Sequence, residues 1–211
     1  MKIALSLSGQ PRFVKQCFEN IKANIIEPNN ITDIYVHIWA PKLLYQLVNN
    51  PYGTEQDIED IRNLYKPTKT IIEEPKEFEE IVPKDSVYYL YNFVSQSMFY
   101  SIKRGMEMID ESYDCYCRLR FDLQFFHPIK FSDYNMAHAN IPTVFDNRVC
   151  DHFGFGDITV KRAYENALGE CKNYYLETNK FTPEEILEMS FNKNKVPITK
   201  HGWAKPVIYR G

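Results

Sequence analysis

Tyr113-Asp-Cys-Tyr-Cys-Arg-Leu-Arg-Phe-Asp-Leu-Gln-Phe125 is the stretch whose reading decides the fold. With the two-residue period of a β-strand it separates into two rows. Cys115, Cys117, Leu119, Phe121 and Leu123 form an apolar row, and Tyr116, Arg118, Arg120 and Asp122 form the other. The second row sets two guanidinium groups and a carboxylate at a strand end. That is costly unless water, a partner or a ligand satisfies them. Ligands of open α/β sheets sit at the carboxyl ends of strands, and two arginines with an acid suit an anionic ligand, with or without a bridging metal. A solvated edge strand carrying an Arg–Asp pair is the plainer reading of the same residues.

Outward from this stretch, the pattern is that of alternating strands and helices. Lys2 to Ser8 is a short aliphatic strand. Ser8-Gly9-Gln10-Pro11-Arg12 breaks it, with Pro11 suited to the first turn of a helix. Val14, Cys17, Phe18, Ile21 and Ile25 then recur at helical spacing to about Ile26. A strand, a tight glycine turn and a helix can offer free N–H groups and Arg12 to a phosphate. A single glycine is also what an ordinary β–α turn contains, since this is neither G-x-G-x-x-G nor a Walker loop. Asp33 to Trp39 is apolar nearly throughout, as central parallel strands are. His37 within it reads as a core histidine.

Ala40 to Asn50 looks helical and loop-like, Pro51 to Gly53 is a turn, and Asp57 to Tyr65 is a helix. Thr68 to Glu73 is a third strand, followed by an acidic, proline-flanked loop from Pro75 to Asp85. The helix from Tyr91 to Ile109 has Val94, Met98, Ile102, Gly105, Met106 and Ile109 as its expected core stripe. Asn92, Gln96, Tyr100 and Lys103 line another face and flank the arginine strand, although such polar stripes are commonly just solvated. After a turn at His127-Pro128, Ile141 to Phe145 is a short strand. Cys150-Asp-His-Phe-Gly-Phe-Gly-Asp157 follows, with glycines that let backbone approach a ligand and rings that stack on sugar faces. A glycine-bent strand with Asp157 capping the next helix explains the same residues. Helices over Thr159 to Tyr175 and from Thr182-Pro-Glu-Glu185 to Phe191, then a strand over Val196 to Thr199, complete the pattern.

The 211 residues suit one domain, and fifteen Tyr with fourteen Phe give ample aromatic surface. A formal charge of −3 argues against nucleic-acid binding, which needs a basic face. No apolar run has the length of a membrane span, and the N-terminus lacks a signal-peptide h-region. Cys17, Cys115, Cys117, Cys150 and Cys171 are odd in number and without a C-x-x-C pair, so neither a disulfide framework nor a zinc site is expected. They read as buried thiols of a reducing compartment.

Four motifs in order carry a resemblance: Ser-Gly-Gln-Pro-Arg after the first strand, Ile-Tyr-Val-His-Ile-Trp in the second, Tyr-Asp-x-x-x-Arg-Leu-Arg-Phe-Asp-Leu, and Asp-His-Phe-Gly-Phe-Gly. Over most of residues 2 to 160 the chain resembles the GT-A-fold nucleotide-sugar glycosyltransferases. The branch is that of the WavE-like lipopolysaccharide-synthesis proteins and the N-terminal glycosyltransferase domain of a large chlorella-virus protein. The resemblance implies a Rossmann-type, mixed but mostly parallel sheet flanked by helices, as a single domain over 1–211. Residues 1–125 would bind the nucleotide sugar and 126–211 would face the acceptor.

It further implies transfer of a sugar from a nucleoside-diphosphate sugar, UDP in the first instance, to a glycan acceptor in glycan biosynthesis. The compartment would be the cytoplasm, the host's if the protein is viral. Gly9, Gln10 and Arg12 would hold the nucleotide end. Gln96, Tyr100, Arg118, Arg120 and His152 would meet phosphate or sugar. Asp122 falls where the family's Asp-x-Asp acid holds Mn²⁺ or Mg²⁺, with His201 as a further ligand. Position 120 departs from that motif, being Arg where the family has its first Asp, so Arg118 and Arg120 could themselves neutralise the leaving diphosphate. Asp151 would be the base that deprotonates the acceptor hydroxyl, or would only orient the acceptor if the enzyme retains configuration.

Two rivals stand beside this reading. One is a nucleotidyltransferase, which would ordinarily show a glycine- and lysine-rich first loop. The other is a sugar-nucleotide-binding domain with no catalysis. Further domains fused to the chain are also expected, because it ends at Tyr209-Arg-Gly211 just after a late strand.

Overall fold

The computed structural model describes residues 1–39, 54–143, 147–202 and 207–209. The readings of Ala40 to Asn50, of the Pro51 to Gly53 turn and of Val144 and Phe145 lie outside them. The chain runs β1 (Ile3–Ser8), α1 (Val14–Ile21, extended by a π turn, Lys22–Ile26), β2 (Asp33–Trp39), α2 (Glu55–Asp60, extended by a π turn, Ile61–Tyr65) and β3 (Lys69–Glu73). It continues with α3 (Tyr89–Glu107), β4 (Cys115–Leu119), β5 (Leu123–Gln124), β6 (Ala139–Pro142), β7 (Phe153–Gly156), α4 (Ile158–Thr178), α5 (Pro183–Lys193), β8 (Ile198–His201) and β9 (Val207–Ile208).

Seven strands form one sheet in the order β3-β2-β1-β4-β7-β6-β8. β3, β2, β1 and β4 pair in parallel, while β7 runs antiparallel to both β4 and β6, and β8 is parallel to β6. All strands but β7 therefore point the same way. This is the mixed, mostly parallel α/β sheet expected, and it passes without a break from β4 into β7. β5 and β9 make a separate two-stranded ribbon.

Both sheet faces are covered, which is why the strands read as apolar almost throughout. Leu5, Leu7, Val36, Ile38, Cys117 and Phe155 pack against α1 and α2 on one side. Ala4, Tyr35 and Tyr116 pack with Phe99, Ile102 and Met106 of α3 and Val160 and Tyr164 of α4 on the other. β4 is buried along its whole length, so Tyr116 and Arg118 of the second row are interior and not solvated. All five cysteines are free and buried, and among the described residues no helix is long and apolar enough to cross a membrane.

Three local expectations are corrected. Pro11 lies in the loop and not in the first helical turn, because α1 starts at Val14 after Phe13 adopts a left-handed φ of 51°. The late strand is displaced, to Ile198–His201. The stripe of α3 is turned: Val94 is 67 % exposed, while Asn92, Ser95 and Gln96 are buried with Phe99 and Ile102. The reason is hydrogen bonding. Asn92 Oδ1 accepts from the backbone N–H groups of Ile81 (3.1 Å) and Val82 (3.3 Å), so the polar face fastens the acidic loop onto the helix.

Candidate active site

The parallel strands bring several expected residues to one carboxyl edge. β1 ends in Ser8 and Gly9, and Gly9 has φ +119°, a conformation that disfavours any side chain. Its N–H donates to the carbonyl of His37 at the end of β2 (3.4 Å), and an added Cβ would meet nothing within 4 Å. The loop is thus open above its backbone. Gln10 and Arg12 follow in it, partly exposed, with the N–H of Arg12 donating to Gln10 O (2.9 Å).

One strand away, β4 ends at Leu119 and the chain turns. Arg120 folds back on Asp122, its Nε 2.9 Å from Oδ1 and its Nη2 2.6 Å from Oδ2. The pair is bidentate, and Asp122 is only 1 % exposed. Such a charge-assisted fork is the strong form of this contact. The antiparallel β7 enters beside it, with Leu119 opposite Phe153 and the N–H of Arg120 donating to His152 O (3.2 Å). The residues that precede β7, Asp151 and His152, therefore stand next to the Arg120–Asp122 pair.

His152 Nε2 lies 3.1 Å from Asp151 Oδ1. Burial first, and then Arg120 and Arg118, draw the His152 pKa down to about 4 against the pull of Asp151 and Asp122. Burial therefore favours the neutral imidazole beside the carboxylate. Cys150 shares this corner, and its thiol, Asp151 and His152 form the only group of potential metal ligands within 4.8 Å of one another among the described residues. Burial pushes the Cys150 thiol up to about 12, so it stays protonated.

The remaining expected residues are placed elsewhere. Arg118 points into the α3–α4 face and is wholly buried, with Nε and Nη1 lacking any partner. Gln96 Nε2 donates to Glu79 O (2.8 Å) and Asn92 O (3.1 Å), bracing the loop. The Tyr100 hydroxyl donates to Glu73 (2.8 Å), and its ring stacks on Trp39. His201, on the sheet's far edge strand, has Nε2 3.1 Å from Asn140 Oδ1 and its ring against Tyr134. Asp122 and His201 are thus not brought together, and both Asp122 oxygens are engaged by a guanidinium that would repel a cation. As arranged, these two residues do not fit a divalent ion. Asp157 caps α4, accepting from the N–H of Thr159 (2.8 Å), which leaves the buried Asp151 as the acid of the segment before β7.

Sequence reasoning missed three contributors. Glu184, in the first turn of α5, lies 4.0 Å from Arg148, and burial, then repulsion from Asp151, raises its pKa. Tyr164 of α4 sits over Gly154, where a Cβ would collide with its hydroxyl. The tail at Tyr209 crosses below the site, its N–H donating to Asp122 O (2.9 Å) and its ring against Phe13 (4.9 Å). Only Glu184 carried a signal, the Thr-Pro-Glu-Glu helix start, and that signal is about capping.

No family model matches the chain, and no curated protein matches it. Among solved structures the chain is similar to a glycosyltransferase involved in the glycosylation of the major capsid of PBCV-1. The identity is 12 % and the TM-score 0.47, over 96 % of this chain and 83 % of that one.

Proposed function

We propose that the chain is a glycosyltransferase domain that moves a sugar from a nucleoside-diphosphate sugar to a glycan acceptor. The observation that carries this reading is the meeting of Arg120–Asp122 with Asp151–His152 at the carboxyl edge, one strand from the open Gly9 loop. A leaving diphosphate needs positive charge, and an acceptor hydroxyl needs a base. Arg120, 23 % exposed in its side chain, supplies the first once the diphosphate competes for it with Asp122. Asp151, with the His152 imidazole beside it, supplies the second. Gly9, Gln10 and Arg12 receive the nucleotide end. The four sequence motifs that resemble GT-A enzymes support the same assignment, with UDP as the base-bearing half and the cytoplasm as the compartment.

Release of nucleoside diphosphate from a panel of donor sugars, with and without Mn²⁺ and acceptor, tests the proposal. Acceptor-dependent release that survives a chelator supports the arginine-based reading. Release that requires Mn²⁺ and dies in Asp122→Ala, while Arg120→Ala stays active, supports a cation at Asp122 instead. Release of pyrophosphate in place of a diphosphate identifies a nucleotidyltransferase. Donor binding with no turnover leaves a binding domain.

A further inference from the structure

The first half of α3 buries polar residues and exposes apolar ones. Asn92, Ser95 and Gln96 are inside, while Leu90 (80 % exposed), Tyr91, Phe93 and Val94 face solvent, with Val87 (84 %) in the turn just ahead. Leu90, Tyr91 and Val94 share one helical face by their spacing. Singly exposed apolar residues are ordinary, but a contiguous group marks an interaction surface.

The second half of the helix fixes where this group lies. Gly105 faces Ser6 within β1, and Ser101 bonds His37, which is level with Ser8 at the end of β1. Tyr100 stacks on Trp39, the last residue of β2. From Ser101 back to Tyr89, at 1.5 Å per residue, the helix therefore runs about 18 Å beyond the level of Ser8. It projects past the carboxyl edge of the sheet. On α4, Lys172 holds Glu79 of the loop fastened to α3 (2.6 Å), and one turn further on Leu176 is exposed at the same end.

From Ser86 to Ile102 there is no Asp, Glu, Lys, Arg or His, although 25 % of the chain is charged. A surface helix ordinarily carries charge on its outer face. Here that face is aliphatic and tyrosine-rich, and tyrosine, with an apolar ring and a polar tip, suits the boundary between membrane and water. Side chains about four-fifths exposed stand proud of the surface, as insertion among lipid chains requires. We infer that this projecting end of α3 docks the protein peripherally on a lipid bilayer. Leu90 and Val94 enter the boundary between headgroups and acyl chains. With no charge in the stretch, the attachment is apolar, needs no anionic lipid and withstands salt. Docking turns the edge that carries Gly9 and Arg120 toward the lipid. The inference is independent of the proposed transferase activity.

Flotation of the full chain with vesicles of phosphatidylcholine alone tests it. The wild type should float with the vesicles at low and at high salt alike. Leu90→Ser combined with Val94→Ser, at exposed positions, should keep the melting temperature and lower the partition coefficient about tenfold. Phe126→Ser, which removes an equally exposed ring after β5, should float as the wild type does. Leu90→Trp should show emission that shifts to the blue on adding vesicles. A wild type that stays in the aqueous fraction overturns the inference, as does flotation that high salt abolishes, that the double variant retains, or that Phe126→Ser loses equally. A dimer seen by light scattering, abolished in the double variant and accompanied by no flotation, overturns it too and makes this face a contact between copies.

Discussion

Two charged clusters lie along the same edge of the sheet, one at the ends of β2 and β3 and the other at the ends of β4 and β7. In the first, Glu73 accepts from Tyr100 (2.8 Å) and from Arg104 Nε (2.9 Å) and Nη2 (2.8 Å), with Lys76 also beside it. His37 Nδ1 bonds Ser101 (2.7 Å), and its Nε2 stands 3.7 Å from Glu73. Although partial burial works against the Glu73 charge, these hydrogen bonds hold its carboxyl below the usual range. In the second cluster, Arg118 keeps unpartnered nitrogens, and Asp151 has the His152 imidazole 3.1 Å away. A cluster whose carboxylate is taken up by its own partners fixes structure. A cluster with donors and a carboxylate left over has capacity for a ligand. The sequence reading set the stripe Asn92, Gln96, Tyr100 beside the arginine strand; in the structure Tyr100 joins the first cluster, and Asn92 and Gln96 hold the loop at Glu79.

The sharpest way to break this contrast is Asp151→Asn, which keeps size and removes basicity. Transfer should fall by about 10²–10⁴ while donor affinity barely moves, the scale of positioned general-base catalysis. Normal transfer with a lowered melting temperature would make Asp151 a structural residue and defeat the assignment. Arg120→Ala comes next. Loss of one donor to developing charge should lower transfer by about 10²–10³, read as kcat under saturating donor. An unchanged kcat would remove Arg120 from diphosphate neutralisation.

Arg12→Ala should weaken nucleotide binding by roughly 1.5–3 kcal/mol, the scale for a hydrogen bond to a charged group. Calorimetry with UDP measures it, and unaltered affinity would return the Gly9–Arg12 loop to an ordinary turn.

Acid should test both clusters together. Burial, as the first cause, draws His37 and His152 from 6.5 down to about 4. The folded state then binds fewer protons than the unfolded state between those values. Their stabilising effect is complete above pH 6.5 and is lost as the pH falls toward about 4. Melting temperatures should drop across that window, and less so in His37→Gln. A flat profile would show that neither histidine is held neutral.

The smallest effect is expected from Arg104→Met in the closed cluster. It should cost on the order of 1 kcal/mol of stability, because the site is partly solvated, with kcat unchanged. A marked loss of kcat there would erase the distinction between the two clusters.

Strand and helix positions were legible because both sheet faces are buried, which leaves continuous apolar runs such as Asp33–Trp39, and because helical spacing marks α1 and α4. The acids and arginines of the site were legible as residue types. Their roles were not. Periodicity put Arg118, Arg120 and Asp122 in one row, but β4 stops at Leu119, and only beyond that point does the chain turn Arg120 onto Asp122. That leaves Arg118 inside and the other two at the edge.

By itself, the sequence determined the alternation of strands and helices, the two-row strand at its centre and the glycine turns, since these follow from local period and backbone freedom. Only the tertiary structure decided that α3 turns its polar face inward to hold a loop, that Glu184 and Tyr209 reach the site, and that Asp122 and His201 stay apart. Those outcomes depend on which strand lies beside which. The order β3-β2-β1-β4-β7-β6-β8 places β7 next to β4 and β8 at the far edge, and no local pattern encodes a neighbour that is distant in the chain.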